Sequence, residues 1–459
     1  MKGDFSRVTL NEEKHYSLVL MQQGRVLLDN DWNEQGLTLW LAQQKLIGDL
    51  IGEHGGPEGS FEIYPMPSDE TPSASDFMIR DGRYYVQGAM CENEESCRFT
   101  DQPDYPPFSD YNPNPIDEPG TYLIYLHVWL RHITHLEDEA LREVALGGPD
   151  TTTRVKTVWQ VKAKKTDLAL YSDDGAANRV LKENYEQFEQ ELGDEIYPRS
   201  SFLKARAIIP RETVEPCRIS PENRYRGAEN QLYRVEIHRG GLAFDAEANN
   251  QTPRPATFKW SRENGSVVFP IEDINGSVVT VSHLGRDTRF GLKPGDWVEV
   301  VDDDYVLLGK REKLLRVGEV DPVEMQVVLS ESPAHTPGSS KHPLLRRWDQ
   351  KGDEEGGMIV VEEGKWVELE DGVEIWFEPP PSQILAHYCS GEWWFIPART
   401  ATGDVEWPKE SDGSPLSQPA MHPTQGFAPL ALVEFSEDGI IADNNDIIDL
   451  RRKLAQRWE

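Results

Sequence analysis

Residues 255–332 alternate between short runs rich in β-branched and aromatic residues and turns built on Gly, Asn or Asp. The runs are, in order, ATFKWSRENGSVVFPI, NGSVVTVS, GDWVEVVDDDYVLLG, LLRVGEVD and MQVVLS. Five or more short strands joined by regular turns are typical of a small barrel or a sandwich. The pattern therefore predicts a compact β unit, which we place at residues 255–345.

Similar runs occur on both sides of this unit, so the whole chain is predicted to be mainly β. They are RYYVQGAMCEN, TYLIYLHVWLRH and TRVKTVWQVKAK before it, and GKWVELEDGVEIWFE, GEWWFIPART and FAPLALVEF after it. A chain of 459 residues is too long for one ordinary core. We expect a multi-domain architecture of β-sandwiches and a small barrel, with a short C-terminal helix in DIIDLRRKLAQRW. The predicted units are an arm and helix at 1–55, a β-rich domain at 56–254, the barrel-like unit at 255–345 and a β-rich region at 346–459 that ends in the helix.

The N-terminal unit is predicted to be an extended arm followed by an amphipathic helix over about residues 31–53. Apolar residues recur there close to every 3.6 positions, at Trp32, Leu39, Trp40, Leu46, Ile47, Leu50 and Ile51. Asp31 with Glu34 three positions later is a capping-box arrangement, and Gly55-Gly56 supplies a stop.

The polar cluster at this helix start, Asp29, Asp31, Asn33 and Glu34, raises the question of a metal or catalytic site. A calcium loop of EF-hand type needs Gly at its sixth position and Glu at its twelfth. Counted from Asp29, those positions hold Glu34 and Trp40, so the spacing fails. Because the helix dipole favours carboxylates at a helix start, a cap is the favoured interpretation, with an interface contact or a catalytic pair as alternatives.

Two further segments interrupt the β pattern of the 56–254 unit. The segment DQPDYPPFSDYNPNPIDEPG at 101–120 is predicted to be a long surface loop, because Pro cannot sit in a central ladder. Its aromatic residues Tyr105, Phe108 and Tyr111 would suit protein contact. A helical insertion is predicted at about 173–193, with one apolar side formed by Val180, Leu181, Tyr185, Phe188 and Leu192.

The charge balance argues against nucleic acid and anionic membranes as partners. The chain holds 47 basic and 80 acidic residues, a net charge of −33, whereas both partners require a basic surface. The sequence has no apolar run as long as a membrane span. The four cysteines, Cys91, Cys97, Cys217 and Cys389, do not make a disulfide framework. These features indicate a reduced, soluble, cytosolic protein.

No residue pattern makes a strong case for catalysis, a metal or a cofactor. His127 and His132 would point to opposite faces of a strand and are not neighbours on a helix. They could still converge with His135 if the chain changes structure near Thr134, but structural roles are favoured over zinc. The run 302–304 of three aspartates is predicted to be an acidic hairpin tip, with calcium binding as the alternative. No nucleophile, zinc-protease or nucleotide motif occurs.

Tryptophan is concentrated in the second half of the chain and suggests a glycan-binding surface as an alternative function. The residues are Trp260, Trp297, Trp348, Trp366, Trp376, Trp393, Trp394 and Trp407. Exposed aromatic rings can stack on sugar faces, but a tryptophan in an alternating strand is commonly buried.

Seven segments in order resemble a family of uncharacterised proteins encoded with phage-tail-like contractile injection systems and related prophage tails. They are MKGDFSRVTL to HYSLVLMQQGRVLLDNDWNEQ, GRYYVQGAMCENE, HVWLRHITHLEDEALREVALGGPDTTTRVKTVWQVK, YRGAENQLYRVEIH, TFKWSRENGSVVFPI, GEWWFIPARTATGDVEW and FAPLALV. The resemblance implies an accessory structural protein at the baseplate or around the spike, assembled in the cytoplasm and then carried on the particle. It implies no catalytic residue. The implied partners are baseplate, spike and tail proteins and further copies of this chain, since baseplate proteins form symmetric oligomers.

We therefore predict a structural component that acts through protein contacts, without catalysis, metal or cofactor. The predicted contact residues lie in the arm, on the helix and in the Pro-rich loop: Phe5, Arg7, His15, Tyr16, Trp32, Trp40, Tyr105, Phe108 and Tyr111. Packing inside the chain is the alternative role for the aromatic members. A glycan-binding module is the second hypothesis, and a hydrolase, supported only by the abundance of carboxylates, is the third.

Overall fold

The computed structural model describes residues 1–67, 75–168, 185–192, 201–207, 224–244, 254–287, 289–351, 355–380, 386–439, 441 and 446–454. Over these residues the protein is mainly β and is built from several sheets, as the sequence predicts. Its α-helices are α1 (Asp29–Ile51), α2 (Tyr185–Leu192) and α3 (Asp303–Leu307). Short 3-10 turns occur at Glu12–Lys14, Glu139–Leu141, Val144–Leu146, Ser339–Lys341 and Glu355–Gly357.

The strands carry the architecture and are numbered in chain order. They are β1 His54–Gly55, β2 Ile63–Tyr64, β3 Met78–Ile79, β4 Gly82–Val86, β5 Ala89–Asn93, β6 Cys97–Arg98, β7 Gly120–Ile133, β8 Arg154–Lys165, β9 Phe202–Ala207, β10 Gln231–Arg239, β11 Gly241–Leu242, β12 Thr257–Ser261, β13 Val268–Asn275, β14 Val278–Val281, β15 Trp297–Val301, β16 Leu315–Asp321, β17 Gln326–Leu329, β18 Leu344–Trp348, β19 Ile359–Val360, β20 Trp366–Glu368, β21 Val373–Phe377, β22 His387–Tyr388, β23 Trp393–Arg399, β24 Asp404–Val405, β25 Gln418–Pro419, β26 Gln425–Phe435 and β27 Ile447–Asp449.

The long sheet, in the order β27-β26-β7-β8, is covered on both faces. Tyr122 and Ile124 face a core shared with the small sheets β1-β4-β5 and β2-β3-β6. Leu123 and Tyr125 point the other way and pack with Phe188 of α2. Burial on both faces explains why YLIYL in β7 is continuously apolar instead of alternating.

The sandwich consists of the sheet β19-β12-β10-β23-β24 packed on the sheet β20-β21-β9-β25. In β21 the burial alternates, with Val373, Ile375 and Phe377 inside. Trp260 and Trp394 fill the same core and are almost fully buried. Period-2 alternation with apolar residues inward is the pattern that two packed sheets require.

The barrel is closed by six antiparallel strands in the order β13-β14-β17-β16-β15-β18. It extends from Val268 to Trp348, and its interior is filled by side chains such as Phe269, Val279 and Leu345. The predicted unit at 255–345 also includes β12, but β12 pairs with β10 and β19 in the sandwich.

Strands from the last quarter of the chain complete sheets that earlier residues begin. The strand β26 pairs with β7 from Gln425↔Trp129 to Phe435↔Gly120, and β23 pairs with β10. The predicted C-terminal helix is wrong over 447–449, since these residues form β27 on the edge of β26. Ile447 and Ile448 contact different cores, which is the side-chain alternation of a strand. Residues 455–458 of the predicted helix lie outside the described residues.

The predicted N-terminal helix and helical insertion are confirmed where the structure describes them. Helix α1 covers Asp29–Ile51 and ends at Gly52, whose φ of 88° is left-handed, so the stop precedes the predicted Gly55-Gly56. In the insertion, α2 buries Phe188 and Leu192, and residues 173–184 with Val180 and Leu181 lie outside the described residues. The loop at 101–120 is irregular up to its last residue, as predicted.

Acidification is expected to destabilise the protein through His54, a buried residue of β1. Its Nδ1 lies 3.0 Å from the Tyr84 hydroxyl, and burial, with a smaller effect of Arg452, lowers its pKa to about 4. Between pH 6.5 and 4 the unfolded state binds more protons at this site, so stability falls as pH falls. From pH 7 to pH 5 this amounts to about 2 kcal/mol.

Urea unfolding of the His54→Gln variant at both pH values tests this expectation. The loss of stability between pH 7 and pH 5 should be smaller than in the wild type by about 2 kcal/mol. His15→Asn, on the exposed arm, is the control and should leave the pH dependence unchanged. An unchanged pH dependence in His54→Gln would show that folding does not lower the pKa of this histidine.

Candidate functional site

The arm and helix α1 expose an unusual amount of apolar surface. Of the 21 large hydrophobic side chains that are exposed among the described residues, eleven lie between residues 16 and 50. They are Tyr16, Leu18, Leu20, Met21, Val26, Leu27, Leu28, Trp32, Leu39, Leu46 and Leu50. We call this set the apolar arm–helix surface. Contiguous apolar exposure of this kind marks protein or ligand contact sites.

Four of these residues form a stripe along α1. Trp32, Leu39, Leu46 and Leu50 follow one another at intervals of seven, seven and four residues, which places them on one side of an α-helix. Trp32 is 73% exposed and Leu50 is 75% exposed. The apolar periodicity that predicts this helix therefore describes, in part, a face that the protein itself leaves uncovered.

The arm is held against α1 by polar groups at the start of the helix. Asp29 accepts hydrogen bonds from the Ser6 backbone N–H at 2.9 Å and from its hydroxyl at 2.6 Å. The Thr9 hydroxyl donates to Glu34. The predicted capping box is wrong, because the N-cap is Leu28, which makes no side-chain cap. Asp29 and Glu34 instead bind the arm within the chain, and the interface alternative stays a prediction.

The first residues of the arm are anchored in the body of the protein. Lys2 Nζ lies 2.9 Å from a carboxylate oxygen of Glu236 in β10. Asn264 donates from Nδ2 to the Gly3 carbonyl oxygen at 2.9 Å. Arg399 donates to the Ser6 carbonyl oxygen at 2.9 Å. The chain is thus fixed before residue 7, whereas residues 11–18 are all exposed.

Helix α1 rests on the body through a small contact. Its fully buried residues are Asn30 and Thr38. At its C-terminal end it crosses the β4–β5 turn, where the backbone of Gln44 lies directly over Gly88. The Gln87 N–H donates to the Glu53 carbonyl oxygen at 2.7 Å just beyond the helix. The helix is therefore held by the arm near its start, by the buried Thr38 at its middle and by the β4–β5 turn near its end, and its outer stripe remains exposed.

Comparison with known proteins assigns the chain to a family. The profile described as a family of unknown function (DUF6519) matches residues 1–196 and 197–443. The chain belongs to this family. No curated protein and no solved structure matches the chain. The apolar arm–helix surface of this DUF6519 protein lies within the matched residues, so the family match includes the candidate site.

The residues predicted for assembly divide into exposed and packed groups. In the DUF6519 protein, His15, Tyr16 and Trp32 are exposed. Phe5 and Arg7 are half-buried: the Phe5 ring meets His132 edge-on at 5.9 Å, and Arg7 pairs with Glu406 at 3.3 Å. Trp40 is also half-buried and lines a cavity.

The aromatic residues of the Pro-rich loop pack inside the chain. The Tyr105 ring lies 5.4 Å from that of Phe108, which joins the core of the long sheet. The Tyr111 ring stacks on His335 at 4.1 Å, and its hydroxyl donates to Glu312 at 3.2 Å. All three aromatic side chains are only partly exposed. This packing is the alternative role that the sequence left open for them.

The histidines and aspartates singled out as possible ligands have separate partners. His127 stacks on Phe427, whereas His132 contacts the Thr153 hydroxyl and His135 contacts Asp150. The part of the chain that the structure describes contains no group of three or more His, Cys, Asp or Glu side chains arranged to hold a metal ion.

The acidic run is not a hairpin tip, so that prediction is wrong. Asp302 caps α3 by accepting from the Tyr305 N–H at 2.7 Å, and it is buried. Asp303 pairs with Arg131 and His342, and Asp304 pairs with Lys341. Three carboxylates followed by an apolar turn can start a helix as readily as they can form a hairpin tip.

Most of the tryptophans proposed for glycan stacking are buried. Those with less than a tenth of their surface exposed are Trp260, Trp297, Trp348, Trp393, Trp394 and Trp407. Trp366 is partly exposed, but the Arg206 guanidinium covers its ring at 3.8 Å. These positions therefore offer little ring surface to a sugar.

Cys91, Cys97 and Cys389 are free thiols, and Cys217 lies outside the described residues. Burial raises the pKa of the Cys91 thiol to about 12. Among the described residues, no helix combines the length and the apolar character needed to cross a membrane.

Proposed function

We propose that this protein is a structural component of a phage-tail-like contractile injection system and joins the particle through the apolar arm–helix surface. The partner is a neighbouring protein subunit at the baseplate or the spike, and the contact needs no catalysis. The observation that supports the proposal is the concentration of eleven exposed apolar side chains in residues 16–50. The resemblance to proteins encoded with such systems supplies the particle as context.

The size of the surface suits a protein partner. The eleven side chains expose on the order of 1,000 Å², comparable to the ~800 Å² that each partner buries in a standard interface. The heptad-like spacing of Trp32, Leu39 and Leu46 favours a helix or a strand ribbon that lies along α1. Such an occupant would remove the stripe from water, which is the main driving force of association.

A variant that changes only this stripe provides the test. Trp32→Gln, Leu39→Gln and Leu46→Gln together should leave the fold intact, because these side chains contact water and Gln is a good helix former. We expect the triple variant to be lost from purified particles at least about tenfold relative to the wild type, since hot-spot residues dominate interfaces. Mass spectrometry of particles from a producing cell measures the incorporated amount.

The matched control changes three other exposed apolar residues, Val144, Leu146 and Val323, to Gln. It should be incorporated like the wild type. Normal incorporation of the stripe variant would exclude this surface as the interface. Absence of the wild-type chain from intact particles would overturn the particle role itself. Light scattering of the isolated protein reports separately whether further copies of the chain associate.

A further inference from the structure

A cavity of about 660 Å³, open on one side, lies where α1, the long sheet, the sandwich and the barrel meet. Leu37 and Trp40 of α1 form part of one wall, and Trp129 of β7 forms another. Its volume falls in the range of small-molecule sites, about 300–1,000 Å³. The cavity is distinct from the apolar arm–helix surface, because α1 turns its other side toward it.

One end of the cavity has more cations than carboxylates, although the protein as a whole carries a charge of −33. The lining cations are Lys2, Arg234, Arg311 and Arg346, and the lining carboxylates are Glu137, Glu236 and Glu299. Lys259 does not line the cavity but pairs with Glu236 and Glu299 from behind. Asp302 lies three residues beyond Glu299, about 10 Å along the strand. Asp303, next to it, is already matched by Arg131 and His342. The excess of positive charge therefore lies at the end of the cavity that contains Arg234, Arg311 and Arg346.

The two buried carboxylates, Glu236 and Glu299, form ion pairs with three of these cations. Glu236 lies 2.9 Å from Lys2, 2.6 Å from Arg234 and 3.6 Å from Lys259. Glu299 lies 2.7 Å from Lys259 and also accepts from the hydroxyl of Tyr305 and the ring N–H of Trp348. Burial alone raises the pKa of Glu236, but Lys2, Arg234 and Lys259 together bring it well below its ordinary value.

Arg311 and Arg346 remain without a carboxylate partner among the described residues. Arg346 donates to the Gly265 carbonyl oxygen, and Arg311 donates to its neighbour's carbonyl oxygen at 2.7 Å. The Arg311 Nε is buried and has no acceptor among the described residues. Glu137 uses one oxygen for the Thr134 backbone N–H and hydroxyl. Both guanidinium groups are partly exposed and have more N–H donors than the described residues accept, so each can still bind an anion.

We propose that the cavity binds a small phosphate-bearing anion, with the phosphate group held by Arg311 and Arg346. A phosphate at neutral pH carries between one and two negative charges, which matches the local excess. Guanidinium groups bind phosphate oxygens through paired hydrogen bonds. The apolar walls at Leu37, Trp40 and Trp129 have room for the organic part of a phosphate monoester.

Electrostatics at this end agrees with the geometry. Burial lowers the pKa of Arg346, and burial together with Arg346 and Arg311 contributes to lowering that of Arg234. Burial also lowers the pKa of Lys2 to about 7, despite its contact with Glu236. A bound anion would stabilise the charged form of every one of these groups.

Calorimetric titration of the full chain tests the proposal with three probes. Adenosine monophosphate represents a phosphate monoester, inorganic phosphate represents the free group, and citrate is the carboxylate control. We expect saturable binding of a phosphate probe, weakened at least about tenfold by Arg346→Gln, since charge-assisted bonds are the strong ones. Arg83→Gln, which changes an exposed residue of β4, is the matched control and should bind like the wild type.

The remaining outcomes also decide the matter. Binding of adenosine monophosphate but not of inorganic phosphate identifies a monoester, and the reverse result identifies free phosphate. The proposal is overturned if neither phosphate probe binds at millimolar concentration, or if citrate binds as tightly. If Arg346→Gln does not fold, the partly exposed Arg311 provides a second variant, Arg311→Gln. Wild-type affinity in a folded variant of either arginine also overturns the proposal.

Discussion

Replacing Lys259 by Met is expected to lower the free energy of unfolding by about 3–5 kcal/mol, the cost of removing one partner from a buried ion pair. Lys259 lies in β12 of the sandwich and is fully buried. Its Nζ lies 2.7 Å from Glu299 in the barrel strand β15 and 4.2 Å from the centre of the Trp348 ring. The contact joins the sandwich to the barrel, so the variant weakens their junction as well as the local packing.

The destabilisation arises because Glu299 is buried and loses its nearest cation. Burial alone raises the pKa of Glu299, but Lys259, with Lys2 and His238, lowers it far below its ordinary value. Without Lys259 this carboxylate must remain partly uncompensated or take up a proton. The double variant Lys259→Met, Glu299→Gln removes that charge, and we expect it to recover at least half of the loss.

Urea unfolding followed by tryptophan fluorescence measures these differences. The control is Lys409→Met, which breaks the exposed pair of Lys409 with Asp404 and should cost at most about 1 kcal/mol. A Lys259→Met variant as stable as this control would mean that the buried pair gives no net stabilisation. Equal losses in the single and double variants would mean that packing of the lysine chain, not its charge, matters.

The sequence was sufficient to predict strands and helices whose residue pattern follows directly from which of their faces is buried. The alternation in Val373–Phe377 reflects a strand with one buried face, and the structure places it in the sandwich. The 3.6-residue apolar period predicted α1 to within two residues at each end. Local period and turn residues are properties of short segments, so they can be detected without the rest of the fold.

Pairing between distant segments could not be predicted in this way. Nothing in FAPLALVEF indicates that β26 pairs with β7, about 300 residues earlier, instead of with a neighbouring strand. The same limit explains the wrong C-terminal helix, since three residues of DIIDL fit either period and the free edge of β26 decides. The sequence of a strand or helix indicates which of its faces is buried, whereas the strands that pair with it are determined by the fold of the whole chain.

The buried ion pair of Lys259 and Glu299 could not be predicted from the sequence for a related reason. In TFKWS, Lys259 occupies the position of an outward-facing strand residue, which is ordinarily solvated. The structure covers that face with the barrel, so the lysine is buried against Glu299. The apolar stripe of α1 shows the converse. Trp32 and Leu39 fit a core-facing pattern, yet no core is built against them within the described residues.

Gly88→Ala is expected to loosen helix α1 without changing any residue of the helix. Gly88 has a φ of 79°, and a Cβ there would lie 2.4 Å from the Gln44 carbonyl oxygen and 2.9 Å from two other backbone atoms of Gln44. A left-handed alanine costs about 1–2 kcal/mol, and overpacking against a rigid neighbour adds about 1–3 kcal/mol. Backbone cannot rotate away as a side chain can, so the helix must move off the turn.

Gly147→Ala separates the two contributions. Gly147 has a similar φ of 89°, but no heavy atom lies within 4 Å of its Cβ position. Gly147→Ala therefore has only the strain of the left-handed backbone and no overpacking. Hydrogen exchange should therefore show lower protection across Asp29–Ile51 in Gly88→Ala and unchanged protection there in Gly147→Ala. Equal protection of α1 in both variants would show that the turn does not position the helix. Since Asn30 and Thr38 are its only buried residues, α1 has a limited contact with the body, and the approach of Gln44 to Gly88 is one of the contacts that set the geometry of the proposed assembly surface.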